Sequence, residues 1–297
     1  MNLTDALNWR RPRPVALDRA LPRTLWRRLW HHGEARIGLL MGALLLLMAL
    51  GGPLLLPYDP NLPDYGAALQ APSAAHWLGT DHTGRDLLSR LLDGAHRSLG
   101  AAVVVLLFTF TIGLLVGVVA GISGGLVDTL LMRLVDILMT LPGLVLAIAV
   151  VGVLGPGFRN LLLALIIADW AYYARLARSY VLTARQRPDV IAARLAGIGT
   201  WRILWTHILP GVALQMLVVA TLDLGGMISA ISGFSFLGLG VQPPLAEWGA
   251  ILAESRFYFP IAPWLLLAPS SMILTAVLAA NLVGNALRDL LDPRQAR

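Results

Sequence analysis

From Ser98 to Val127 the chain runs for 30 residues without a charged side chain. A helix rises about 1.5 Å per residue, so about 20 apolar residues cross the roughly 30 Å of hydrocarbon in a bilayer. Backbone groups find no partner in hydrocarbon, so such a run must close its own hydrogen bonds as a helix. Ile37–Leu56 and residues 262–287 are equally free of charge. Residues 134–154 (interrupted by Pro142), 158–176 and 212–237 are nearly as apolar. Only 13% of residues are charged and 57% are hydrophobic, whereas a soluble domain carries about a quarter charged residues. The expected fold is an all-α membrane protein with six transmembrane helices.

The expected order is a tail (1–36), a first span (37–57), a polar insert (58–97), a five-helix core (98–288) and a short tail (289–297). The first tail is too long for a signal-peptide n-region, and no small-residue cleavage site follows the apolar run. Arginine sets the orientation: residues 1–36 carry eight, the stretch from Arg175 to Arg202 six, and the end from Arg288 three, together 17 of 23 basic residues. By the positive-inside rule, both termini and the 175–202 region are expected in the cytoplasm, and the 58–97 insert on the outer side. All 23 basic residues are arginine. A phosphate-binding G-x-x-x-x-G-K-[ST] loop needs lysine, so any ATP must be hydrolysed by a partner. Cysteine is absent, which removes disulfides, cysteine-ligated zinc and thiol nucleophiles.

Between two apolar runs lies a charged island, residues 185–210, RQRPDVIAARLAGIGTWRILWTHILP. Ala192 and Ala193 allow close packing, Gly197 allows the positive φ of a tight inter-helix turn, and Pro210 suits the start of the next span. An ordinary amphipathic loop helix has the same composition.

The Ala192-Ala193…Gly197…Ile208-Leu209-Pro210 spacing resembles the EAA loop of permease subunits of bacterial ABC importers. Ile191 stands where that family usually has Glu, so the polar contacts of that Glu are lost. The resemblance runs on, in order, from about residue 76 to 293. His76-Trp77-Leu78-Gly79-Thr80-Asp81 with Gly84-Arg85-Asp86 and Ser89-Arg90 resembles the HxLGTDxxGRDxxSR segment of the dipeptide, oligopeptide and nickel branch. Val127-Asp128, Met132-Arg133, Asp136 and Pro142 match its next motif. Ser235-Phe236-Leu237-Gly238-Leu239-Gly240-Val241 with Pro244, Glu247-Trp248-Gly249 matches another, and Asn281-Leu282, Gly284, Leu287-Arg288-Asp289 and Leu291-Asp292-Pro293 the last. Asp169-Trp170-Ala171, Arg185-Gln186-Arg187 and Thr221-Leu222-Asp223 lean towards nickel importers, including their C-type subunits.

The resemblance implies a type I ABC importer permease fold in the inner membrane. It also implies a non-catalytic subunit that passes ATPase motion into the membrane through Ile191, Ala192, Ala193, Gly197, His207, Ile208, Leu209 and Pro210. The implied partners are a sister permease subunit, two cytoplasmic ATPase subunits, a periplasmic or lipid-anchored substrate-binding protein and membrane lipid, with no nucleic acid and no cofactor. The implied cargo is nickel, free or chelated, or short peptides.

Ionisable residues inside spans are costly and mark pathways or helix contacts. Asp223, with no basic residue within a turn, is the pathway candidate, with an interhelical hydrogen bond as its alternative. Asp136 is expected to pair with Arg133 at i, i+3, and Asp169 to need a partner from another helix. Asp136, Asp169 and Asp223 could instead form the relay of an ion-coupled secondary transporter or channel, and a scaffold that only anchors a complex is a third reading. His76, His82 and His96 have no compact metal-ligand spacing and read as solvated loop residues. The glycine runs 121–125 and 238–240 read as turns.

Overall fold

The structure is a computed structural model and describes residues 33–291. Most of the expected first tail, the end of the last tail and the Asp292-Pro293 part of the last motif therefore lie outside the described residues. The helices are α1 (Gly33–Gly51), α2 (Leu87–Ser123), α3 (Gly125–Thr140), α4 (Gly143–Leu154), α5 (Phe158–Ala184), α6 (Pro188–Leu195), α7 (Thr200–Ile203), α8 (Leu209–Phe236), α9 (Trp248–Ser255) and α10 (Trp264–Leu291). The only β feature among the described residues is a single bridge between Thr80 and Asp86.

Five helical stretches are long and apolar enough to cross a bilayer: α1, α2, α5, the run Thr200–Phe236, and α10. The sixth expected span is a bent pair, α3 and α4, which meet at 89°. The break has a local cause. Proline disfavours the helical region for the residue before it, and Leu141 adopts φ −89°, ψ 135° ahead of Pro142. The interruption expected at Pro142 within 134–154 is thus a sharp bend between two short helices, the first of which begins earlier, at Gly125.

The expected start of the second span also moves. α2 begins at Leu87, inside what composition marks as the polar insert. Asp86 caps it, accepting from the Ser89 backbone N at 2.8 Å and from Ser89 Oγ at 2.8 Å, which satisfies a first-turn N–H with no intrahelical partner. The polar first turns of α2 stay dry because α9 covers them. Trp248 is fully buried, and its Nε1 donates to the Leu91 carbonyl at 3.1 Å. Glu247 accepts from Ser98 Oγ at 2.9 Å and from the Gly249 and Ala250 backbone N–H groups. The two inserts, far apart in sequence, form one interlocked cap.

At the centre of this cap two carboxylates alternate with two guanidinium groups. Asp81 Oδ2 lies 2.6 Å from Arg85 Nε and 3.1 Å from Arg90 Nη1, and Glu254 Oε2 lies 2.6 Å from Arg85 Nη2 and 3.2 Å from Arg90 Nη2. Burial pushes the Glu254 carboxyl above its usual range, although Arg85 pulls it down. A buried charge left without its partner costs several kcal/mol, so the ring holds only when all four members are present. Glu254→Ala is expected to destabilise the protein by about 3–5 kcal/mol, read as a lower thermal midpoint in detergent. Glu254→Gln, which keeps hydrogen bonding, is expected to cost less. An unchanged midpoint in Glu254→Ala would remove the ring from the account.

Candidate coupling surface and interhelical acid site

α5 does not end near residue 176 as composition suggests but continues to Ala184. There Arg185 Nη1 donates to the Gly121 carbonyl at 2.6 Å, placing a cation at the C-terminal end of α2, where the helix dipole favours one. Arg187 turns extended ahead of Pro188, which opens α6, the position where its missing N–H costs nothing. α6 ends in a Schellman turn: Ile198 N donates to the Ala193 carbonyl at 3.1 Å and Gly197 N to the Arg194 carbonyl at 3.0 Å, with Gly197 at φ +78°. That backbone is left-handed, which glycine adopts without a Cβ penalty.

Two short helices thus meet at Gly197, and their faces differ. Val190, Ala193, Ile203, Leu204 and Ile208 are buried and pack with Val181, Val212 and Met216. Outward stand Ile191 (47% exposed), Leu195 (84%), Trp201 (74%) and Trp205 (63%). Arg194 and Arg202 are exposed beside them. Ile191 and Leu195 are four residues apart, as are Trp201 and Trp205, so each pair shares one helix face. Leu195, Trp201 and Trp205 are absent from the motif-based set, and the i, i+4 spacing is the signal that could have found them. Ala192 is exposed, Leu209 is half-buried and Pro210 lies exposed in the first turn of α8. Half-buried His207 lies beside the bend: its Nδ1 is 3.6 Å from Asp189 Oδ2, which takes Arg187 Nη2 at 2.9 Å.

α7 passes through a π-helical turn, Leu204–Ile208, into α8 with no break. Asp223 lies on that helix and accepts from the Tyr173 hydroxyl at 2.8 Å. Asp169, one turn before Tyr173 on α5, lies on the same face and within Coulombic reach of Asp223. A Cβ built on Gly143 would stand 3.5 Å from Asp169 Oδ1, so the start of α4 lies against this carboxylate. Among the described residues no hydrogen bond engages Asp169. The site has two half-buried carboxylates and one buried hydroxyl.

The other ionisable groups pair differently from the sequence reading. Asp136 pairs with Arg175 at 2.5 Å, not with Arg133, because α3 lies along α5 and the cross-helix partner is nearer than the i−3 one. Asp128 takes Arg178 at 2.5 and 2.6 Å in the same way. His76 is not a free loop residue, since its Nδ1 lies 2.9 Å from Asp86 Oδ1, and His82 stacks on Tyr258. Asp81, His82 and Glu254 bring ligand atoms within 4.8 Å of one another, but both carboxylates are already engaged by Arg85 and Arg90.

Comparison with known proteins bears on the family and the fold. The description of the binding-protein-dependent transport system inner membrane component family matches residues 113–297. The N-terminal transmembrane domain of oligopeptide transport permease C matches residues 22–72. The chain is 46% identical over 260 residues to the nickel transport system permease protein NikC of Escherichia coli, covering 88% of this chain and 94% of that protein. It is 41% identical to the glutathione transport system permease protein GsiD of Pectobacterium atrosepticum, covering 97% and 98%. To the di/tripeptide transport system permease protein DppC of Pseudomonas aeruginosa it is 42% identical, covering 91% of each. Its fold is similar to that of a chain in the inward-facing MetNI methionine ABC transporter, with a TM-score of 0.54 at 19% identity, over 67% of this chain and 95% of that one. With an unbroken helix joining an exposed apolar bend to a carboxylate between spans, and with these matches over most of its length, the chain belongs to the binding-protein-dependent transport system inner membrane component family.

Proposed function

We propose that this chain is a membrane subunit of an ATP-driven importer that carries nickel, free or chelated, across the bacterial inner membrane. In this reading both termini and the bend at Gly197 face the cytoplasm. The partners are a sister permease subunit, two ATPase subunits that dock on the bend, and a binding protein on the outer side. The subunit catalyses nothing; ATP is hydrolysed by the partner.

One observation carries the proposal: the exposed Ile191, Leu195, Trp201 and Trp205 surface is continuous in backbone with Asp223. Large apolar side chains clustered on a solvent-facing bend call for a covering partner. From Trp205 to Asp223 is 18 residues of helix, about 27 Å at 1.5 Å per residue. A push at the bend tilts α8 as one body, and Asp223 moves against Tyr173 on α5. Alternating access follows if that motion opens the acid site to one side and then the other. The acids favour a metal or other cation, which supports nickel. The second reading, a short peptide, is supported by the glutathione and di/tripeptide relatives, since a peptide ammonium fits the same carboxylates. A relay of free carboxylates, as an ion-coupled transporter needs, is interrupted at Asp136 by its pair with Arg175.

The test is uptake by the whole complex in proteoliposomes, with ATP inside and nickel–citrate or a labelled dipeptide outside. Nickel uptake that needs ATP and resists competition by dipeptide is expected; uptake that persists without ATP sinks the coupling role. Trp205→Ala is expected to weaken ATPase binding by about 2 kcal/mol, as an interface anchor does, and co-purification of the ATPase measures it. Gly197→Val forces a β-branched residue into a left-handed backbone, at a cost on the order of 1–3 kcal/mol. Nothing lies within 4 Å of a Cβ there, so any loss of coupled uptake in Gly197→Val reports backbone geometry, and Gly197→Asn should recover most of it. Asp223→Asn keeps an acceptor for Tyr173 and removes the charge. It is expected to raise the KM for nickel by about tenfold, equivalent to about 1.4 kcal/mol, and an unchanged KM would take Asp223 off the pathway.

A further inference from the structure

At the end of the bundle away from the Gly197 bend, the start of α5, the early turns of α2 and the segment after α8 border an open cavity of about 790 Å³. That is the size of a small-molecule site. Val104, Phe158 and Leu162 give it an apolar wall, and its polar side chains are His96, Arg97 and Gln242, with no acid among the lining residues. Arg97 Nη1 is held by Asp93 and by the Ala246 carbonyl at 3.1 Å, which fixes the guanidinium while its other N–H groups have no partner among the described residues. Gln242 Nε2 donates to the Gly238 and Gly240 carbonyls, at 3.1 Å each, leaving its amide oxygen as an acceptor. His96 is exposed, and among the described residues no hydrogen bond engages it.

We propose that this cavity is a cargo-receiving site for small carboxylate-bearing molecules, with the carboxylate held by Arg97 and His96 and the apolar part against Val104, Phe158 and Leu162. A positioned guanidinium is the side chain best matched to a carboxylate; Asp93 engages it through Nη1 from outside the wall, so a ligand carboxylate is received on its remaining N–H groups and beside His96. The same chemistry comes from two sources: the C-terminus of a short peptide, or a carboxylate chelator carrying a metal ion, to which the His96 imidazole can add a ligand. The placement fits a route. Phe158, Leu162, Ile166, Asp169 and Tyr173 recur every three or four residues and lie along one face of α5. The cavity therefore sits at the head of the helix face that carries the acid site, 11 residues away, about 16 Å along the axis. Leu162 and Ile166 are packed between them in this conformation.

The inference rests on the importer reading, and its test separates the two. Whole complexes carrying His96→Ala or Val104→Trp are compared with the parent for ATP-dependent uptake of nickel–citrate and of labelled glycyl-leucine. At least a tenfold rise in KM, with Vmax and basal ATPase activity unchanged, is expected for the cargo that uses the site, and the probe that responds identifies the source of the carboxylate. An unchanged KM for both probes in Val104→Trp overturns the site, as does a fall in Vmax alone in both variants. Loss of the sister subunit on purifying Val104→Trp also overturns it, because the cavity is then a subunit interface. If the parent complex takes up neither probe with ATP, the importer reading fails and the site falls with it.

Discussion

The close approach of α2 and α5 fixes the rest of the bundle. A Cβ on Gly113 would lie 2.3 Å from the Tyr173 Cβ, one on Gly117 2.4 Å from the Ala174 carbonyl oxygen, and one on Gly121 2.7 Å from a Val181 methyl. These glycines recur every four residues, so they form one groove along α2 into which the small-residue face of α5 settles. Lipid tails are as apolar as leucine, so apolar burial gives little reason for two spans to associate. Backbone contact and dispersion supply it, and only residues without a side chain allow that contact. Through this seam α5 reaches the membrane edge in fixed register. Arg185 then meets the end of α2, and Tyr173 meets Asp223.

Two rigid regions face each other across the bundle. At one end the ring of Asp81, Arg85, Arg90 and Glu254 locks the polar start of α2 to α9. At the other, the helix–turn–helix about Gly197 is pinned by its buried face. Between them α8 is one unbroken rod, while α3 and α4 are jointed at Pro142. A force on the bend has a stiff path to Asp223 and a hinged neighbour beside it. In the proposed mechanism the bundle switches between two packed arrangements of stiff helices rather than by a continuous bend.

The spans were legible because charge exclusion over about 20 residues has few physical readings. The bend was legible through Gly197, because a positive φ at a helix end favours glycine. What escaped was tertiary. Glu247 and Trp248 are polar or amphipathic residues that composition assigns to a loop, yet they are buried, because each finds a partner on α2 about 150 residues away. Asp136 was assigned to its neighbour Arg133 because local spacing is all a sequence displays, while the folded chain offers Arg175. Gly121 read as part of a turn and is a packing residue; only Gly124 and Gly125 carry the turn, at φ +63° and +55°.

The chain has no cysteine, so one introduced thiol reports on one place. The most direct test of the coupling account is maleimide labelling of Leu195→Cys in membranes, with and without the ATPase subunits, beside Trp77→Cys at the other end of the molecule. The account predicts that assembly with the ATPase shields position 195 and leaves position 77 reactive, and that ATP binding changes the rate at 195. Equal labelling of position 195 in the presence and absence of the ATPase would contradict it.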